Sequence, residues 1–267
     1  MRILICNDDG HFSPGLAALE HAAATISNDV WTVAPEVKRS SMGHSISLHA
    51  PFTLTRLSDK RYSCSGTPAD CAIAAMAWLF AGSEKPALVL SGINDGRNIG
   101  EDIAYSGTMS IAREASFWGI PALAFSSPNN TNFKAPGMMS WLSGLLQNLV
   151  RNMAAWHRPD EWLSINLSAT VPTSLQHAAP GRAKISGSVT AEVVDANTTV
   201  LRYLKGRKGE QVPGDEASLV DAGCATVYRL CWNGYSRIDD SLLNDINSIN
   251  SINSINSINS INLKDAA

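Results

Sequence analysis

Arg2–Gly10 reads RILICNDDG: a short apolar run closed by an amide, two carboxylates and a glycine. The run Arg2–Cys6 has the length and composition of a strand buried on both faces. Downstream, Leu16–Ile26 is rich in alanine and places Leu16, Leu19, Ala23 and Ile26 at helical spacing, and Val30–Ala34 (VWTVA) reads as a second strand. Ser45–Cys64 alternates in character and suggests a β-hairpin-like insertion. Thr67-Pro68-Ala69-Asp70 carries the signals of a helix start, with Thr67 as N-cap, Pro68 in the first position and Asp70 in the third. Strands are expected again at Ala87–Ile93, Ile120–Ser126 and Trp162–Leu167. Helices are expected between Gly107 and Gly119 and after Pro136, where Met138, Leu142, Leu145, Leu149 and Met153 are three or four residues apart. Strands separated by helices of about 10–15 residues indicate βαβ units and an α/β fold with a parallel, doubly wound sheet. In such sheets ligands bind beyond the carboxyl ends of the strands.

The rest of the chain bounds this reading. It has 267 residues, 45% of them hydrophobic and 17% charged, enough for one large or two small domains with a real core. A net charge of −3 argues against a nucleic-acid polymer held by bulk charge. No run of about 18 apolar residues predicts a membrane span. The opening MRILICNDDG turns polar at position 7, too early for a secretory signal, so a cytoplasmic protein is expected. Five scattered cysteines without a CxxC pair suggest reduced thiols rather than a disulfide framework or zinc site. After about residue 170 the pattern changes. Thr173–Lys184 is irregular, while Ser186–Leu204 and Ala217–Leu230 look β-like. Ile246–Asn262 is a pure INS repeat whose period of three matches neither helix nor strand, so it is expected to build no core. The expected division is an α/β catalytic domain over 1–170, a smaller β-rich arm over 171–245 and a low-complexity tail over 246–267.

Three polar stretches follow predicted strands. Asn7-Asp8-Asp9-Gly10 offers adjacent carboxylates, which suit a hard divalent cation and equally suit a turn or helix cap. Ala34–Ser45 is polar, basic and rich in hydroxyls; it can hold phosphate, complete a metal site or simply form a solvated loop. His11 and His44 are candidate proton donors. Ser91–Thr108 carries Gly92, Gly96, Gly100 and Gly107, which let the backbone approach a ligand closely. Within it, Asn94 offers a neutral oxygen, and Ser106, Gly107 and Thr108 fall where a helix should begin, a place that favours phosphate. Together these form a metal-assisted phosphate site. There is no GxxxxGK[ST] phosphate loop, and no GxGxxG following a strand to suggest a dinucleotide cofactor.

These residues resemble the SurE family of metal-dependent nucleotidases. NDDG with Pro14-Gly15 is similar to the family's NDDGxxxPG, and SGINDGRNIGEDIAYSGT to its SGINxGxNxGxDxxYSGT. Tyr62-Ser63 with Gly66–Cys71 is similar to YSxxGTPxDC, and Gly119–Ser126 fits the family's continuation. The likeness spans about residues 1–130, with a weak echo of the family's GYVSITPL over Gly223–Leu230. It implies a Rossmann-like doubly wound, mostly parallel sheet with a smaller β-rich C-terminal extension that reaches a neighbouring subunit in a homodimer or homotetramer. It implies one divalent ion, Mg²⁺ or Mn²⁺, per subunit, held by Asp8, Asp9, Ser40 and Asn94. The loop around Ser40 departs from the family pattern APDxxxSGxSxS: Ser41 stands in place of glycine, Gly43 in place of a later serine, and His44 where asparagine is common.

The resemblance implies hydrolysis of nucleoside 5′-monophosphates, with 3′-monophosphates and short polyphosphate as further substrates, and the expected route is attack of a metal-activated water. Asp8 and Asp9 are the catalytic acids, and Asn98, Ser106, Gly107 and Thr108 bind the phosphate. Two alternatives stand beside this: a non-enzymatic nucleotide- or metal-binding relative, and a phosphatase with Asp8 as covalent nucleophile. Adjacent rather than alternating acids argue against the second.

Overall fold

In the computed structural model, residues 1–182, 184–185, 188–204, 207–208 and 212–234 are described, and the fold below is that of the unit Met1–Trp232. The tail expected over 246–267 lies outside the described residues. The strands are β1 (Ile3–Cys6), β2 (Val30–Pro35), β3 (Leu54–Ser58), β4 (Arg61–Cys64), β5 (Leu88–Asp95), β6 (Ala122–Ser127), β7 (Glu161–Asn166), β8 (Leu175–His177), β9 (Lys184–Ile185), β10 (Val189–Val193), β11 (Thr199–Tyr203), β12 (Arg207–Lys208) and β13 (Ala225–Cys231). The α-helices are α1 (Pro14–Ala24), α2 (Pro68–Ala74), α3 (Asp102–Tyr105), α4 (Gly107–Phe117), α5 (Met138–Arg151), α6 (Met153–Trp156) and α7 (Glu216–Asp221).

Nine strands form one sheet in the order β3-β4-β2-β1-β5-β6-β7-β13-β8. The six strands from β4 to β7 in that order are mutually parallel, and winding reverses between β1 and β5. This is the Rossmann strand order, and its crevice lies at the β1/β5 switch point. The fold is therefore α/β and Rossmann-like, with a smaller β-rich C-terminal part.

Side chains of β1 alternate between two cores. Ile3 and Ile5 pack with Leu16 and Leu19 of α1 and Leu142 and Leu146 of α5. Leu4 and Cys6 pack with Cys71 and Ala72 of α2 and Met109, Ile111 and Ala112 of α4. Burial on both sides is why the parallel strands read as continuous apolar runs; each leucine so buried contributes roughly 1.5–3 kcal/mol. Helix starts follow their sequence signals. Ser13 caps α1 through the Leu16 N–H, and Thr67 and Asp70 form a reciprocal capping box on α2.

Three expectations change. The hairpin expected over Ser45–Cys64 is confined to β3 and β4, and β4 belongs to the parallel set. Part of the earlier stretch is tied by side chains to the start of α2 instead, with Ser47 N–H and hydroxyl donating to Asp70 and the Thr67 hydroxyl donating to Ser45 O. Ala217–Leu230 is not β throughout, because Asp215 caps the Ser218 N–H and starts α7. Finally, β8 and β13 lie beyond residue 170 yet join the main sheet. The β10–β11 hairpin stands outside it and leaves Val193, Leu201 and Tyr203 exposed. Among the described residues no helix is long and apolar enough to cross a membrane.

Candidate active site

Three loops meet at the switch point. The loop after β1 is tied to the loop after β2 by Arg39 N–H donating to Asp8 O at 2.7 Å and His11 N–H to Pro35 O at 3.0 Å. The loop after β2 is tied to the loop after β5 by Gly43 N–H donating to Tyr105 O at 2.8 Å. Between them lies a cleft of about 680 Å³, within the range of roughly 300–1,000 Å³ usual for small-molecule sites. Of the residues expected from sequence, Asp8, Ser40, Asn94, Asn98 and Ser106 line it.

Asp8 follows β1 directly and is 5% exposed. Its Oδ1 accepts the Thr108 hydroxyl at 2.7 Å. Burial, and then the neighbouring Asp9 charge, push its carboxyl up to about 6. Asp9 Oδ2 accepts the Asp95 N–H at 2.7 Å, which links the first loop to the end of β5. Lys38 Nζ lies 2.5 Å from Asp9 Oδ1. Burial pulls the Lys38 ammonium down, but the bond to Asp9 and the charges of Asp9, Asp95 and Asp8 outweigh it and hold the ammonium above its usual value. Asn94 Nδ2 donates to Gly96 O at 2.7 Å, so its Oδ1 is the atom left for a cation.

The donor set Asp8, Asp9, Ser40 and Asn94 is all oxygen, and it includes a desolvated carboxylate beside a second one. Lys38 offsets this charge only in part, since burial and Asp9 still push the Asp8 carboxyl up, and hard oxygen donors suit a divalent cation, so these residues fit the ion the family implies.

Helix α4 begins beside Asp8. The Ser106 hydroxyl accepts the Met109 N–H at 3.1 Å, and the Thr108 hydroxyl is spent on Asp8. The amides of Gly107 and Thr108 are what the helix offers an anion; among the described residues neither has a backbone or side-chain acceptor. Asn98 is pinned on three sides. Its Nδ2 donates to Ser126 Oγ at 2.7 Å, its N–H to Asn166 Oδ1 at 3.2 Å, and its carbonyl accepts Asn166 Nδ2 at 3.1 Å.

The cleft also holds residues not singled out in the sequence: Lys38, Asp95, Arg97, Asn129 and Tyr203. Asn129 follows β6, so attention to that strand's carboxyl end would have found it. Tyr203 comes from the hairpin, and no local pattern announced it. The two candidate histidines do not line the cleft. His44 Nε2 pairs with Glu114 Oε2 at 3.0 Å and its ring stacks on Phe117, while His11 Nδ1 sits 3.3 Å from Pro35 O.

The altered loop shows a local strain. Ser41, standing where the family pattern has glycine, has φ of 59°, a left-handed conformation that costs an L-residue roughly 1–2 kcal/mol. Part of that is offset because glycine loses more freedom on folding. Ser41→Gly is expected to stabilise the protein by roughly 0.5–1 kcal/mol, a rise of about 2 °C in Tm. Thermal unfolding of the two proteins measures it.

Fold and cleft together define an α/β protein of Rossmann type with an acid-lined site at its switch point. A family model described as Survival protein SurE matches residues 3–190. The 5′-nucleotidase SurE of Paramagnetospirillum magneticum is 35% identical over 249 residues, covering 90% of this chain and 93% of that protein. The 5′-nucleotidase SurE of Parvibaculum lavamentivorans is 39% identical over 208 residues, covering 76% and 75%. The crystal structure of the SurE protein from Aquifex aeolicus aligns with a TM-score of 0.71 at 29% identity, over 88% of this chain and 95% of that one. The chain belongs to the SurE family, whose members are metal-dependent.

Proposed function

We propose that the chain is a metal-dependent phosphatase that hydrolyses nucleoside 5′-monophosphates, with 3′-monophosphates and short polyphosphate as further substrates. The observation that carries this is the buried Asp8 beside Asp9 at the switch point, facing the start of α4. Asp8, Asp9, Ser40 and Asn94 would hold one Mg²⁺ or Mn²⁺. When bound, such an ion supplies a Lewis acid for the phosphoryl oxygen and lowers the pKa of an attacking water.

The chain's own residues do the rest. Thr108 fixes the Asp8 carboxylate through its hydroxyl. The Gly107 and Thr108 amides and Ser106 receive the phosphate and stabilise charge as it develops. Asn98, locked by Ser126 and Asn166, orients it. The exposed apolar side chains of the β10–β11 hairpin support an arm built from that hairpin, within 171–245, that packs on another subunit of a homodimer or homotetramer, while β8, α7 and β13 complete a catalytic part formed mainly by 1–170. The free, buried thiols of Cys6, Cys64 and Cys71 fit the reducing cytoplasm.

Phosphate release from a panel of nucleoside monophosphates tests the function. Release is expected with Mg²⁺ or Mn²⁺, to be lost with chelator and restored by added ion. No metal-dependent release from any nucleotide would instead support a binding relative without turnover.

A further inference from the structure

The stretch 97–100 bounds the cleft and carries Asn98, and much of what grips it comes from α7 and β13. Arg97 pairs with Asp221 at the end of α7. Ile99, 2% exposed, packs on Ala217 in the same helix. The Tyr228 hydroxyl of β13 lies 3.5 Å from Asn98 O. Between these contacts, the Gly100 N–H donates to Glu216 Oε1 at 2.5 Å, and the same oxygen accepts the Gly181 N–H at 3.2 Å. Glu216 is fully buried. A carboxylate placed there costs more desolvation than an apolar residue would, so its presence calls for something it alone supplies. What it supplies is an acceptor that reaches a backbone N–H of the cleft loop from a different part of the chain. Both α7 and β13 lie beyond residues 3–190, the span of the family match.

We propose that Glu216 is a positioning residue for the phosphatase reaction: its carboxylate holds the Gly100 N–H, and through it the 97–100 loop, so that Asn98 is presented to the substrate phosphate. The inference rests on the phosphatase reading above. Without the acceptor, the competent loop arrangement is only partly populated in the free enzyme. Apparent affinity then falls by that fraction, while saturating substrate restores the loop. The signature is therefore a raised KM with kcat preserved, which a loss of folded protein would not give.

The full chain carrying Glu216→Ala is expected to raise KM for adenosine 5′-monophosphate by about tenfold and leave kcat within about twofold. Amide hydrogen exchange across 97–101 should quicken by about tenfold or more. Glu216→Gln keeps a carbonyl acceptor and is expected within about threefold of wild type on both readouts. Should the alanine variant not fold, Glu216→Asp, whose carboxylate is one methylene short of Gly100, carries the same comparison. The proposal is overturned if KM and exchange across 97–101 are unchanged, if kcat falls while KM holds, or if Glu216→Gln fails as badly as alanine. If the wild-type enzyme releases no phosphate, the phosphatase reading fails instead, and the exchange measurement still shows whether Glu216 holds the loop.

Discussion

Asp8→Asn is expected to cut metal-dependent phosphate release by about a thousandfold. The substitution keeps the side chain's shape and an oxygen able to accept the Thr108 hydroxyl, so the loop should stay in place. What it removes is one of two adjacent negative charges that give the cleft its hold on a divalent cation. Asp8 is nearly devoid of solvent, and its neighbour Asp9 is already engaged with the Asp95 amide and Lys38. In the metal-free protein the same change removes a buried charge next to a like charge, and thermal stability is expected to hold or rise. Loss of turnover with stability retained separates a functional acid from a structural one. Steady-state kinetics with Mn²⁺ and thermal unfolding without it make the test. If Asp8→Asn retained most of its metal-dependent rate, Asp8 would not be the acid the reaction needs.

The second large effect is expected at Gly107, the first residue of α4. A Cβ built there would lie 2.7 Å from Asp8 Cβ, 2.7 Å from Pro68 Cγ and 2.9 Å from Asp8 Oδ2. Real Cβ contacts essentially never come so close, and neither neighbour is a flexible chain end. Pro68 is a rigid ring in the first turn of α2, and Asp8 is fixed by the end of β1 and by Thr108. Gly107→Ala must therefore push α4 or Asp8 aside. Overpacking of this kind costs about 1–3 kcal/mol. A shift of about 1 Å in a reacting group costs about a hundredfold in rate. Gly144 in α5 is the control, since a Cβ there meets nothing within 4 Å. Gly144→Ala is expected to leave activity unchanged and to stabilise by about 0.5–1 kcal/mol. Melting temperature and kcat/KM of the two variants decide the matter. Equal behaviour of both would show that the close approach at Gly107 is not what sets Asp8.

The parallel core was legible because its strands are buried on both faces and announce themselves as apolar runs such as RILIC and ALVLSGI. The helix starts were legible because Thr67, Asp70 and Ser106 cap them with their own side chains. The polar ends of β1 and β5 then located the cleft, since a doubly wound sheet leaves its crevice there. What stayed hidden was long-range. That β4 joins β2 in parallel depends on a partner outside its own hairpin. Tyr203 reaches the cleft from a hairpin whose residues are nearly all exposed, so no burial pattern marks it. Glu216 sits more than a hundred residues from Gly100, and a lone acid in a weakly patterned stretch gives no sign of the amide it will meet. His11 and His44 flank the cleft in sequence but do not line it, and Pro35 and Glu114 engage them.

Calorimetric titration of the metal-free chain with Mn²⁺ addresses the switch-point site without relying on turnover. One ion per chain is expected to bind the wild type, with binding lost or greatly weakened in both Asp8→Asn and Asp9→Asn. Undiminished binding in those variants, or no binding to the wild type at all, would contradict a cation held between β1 and β5.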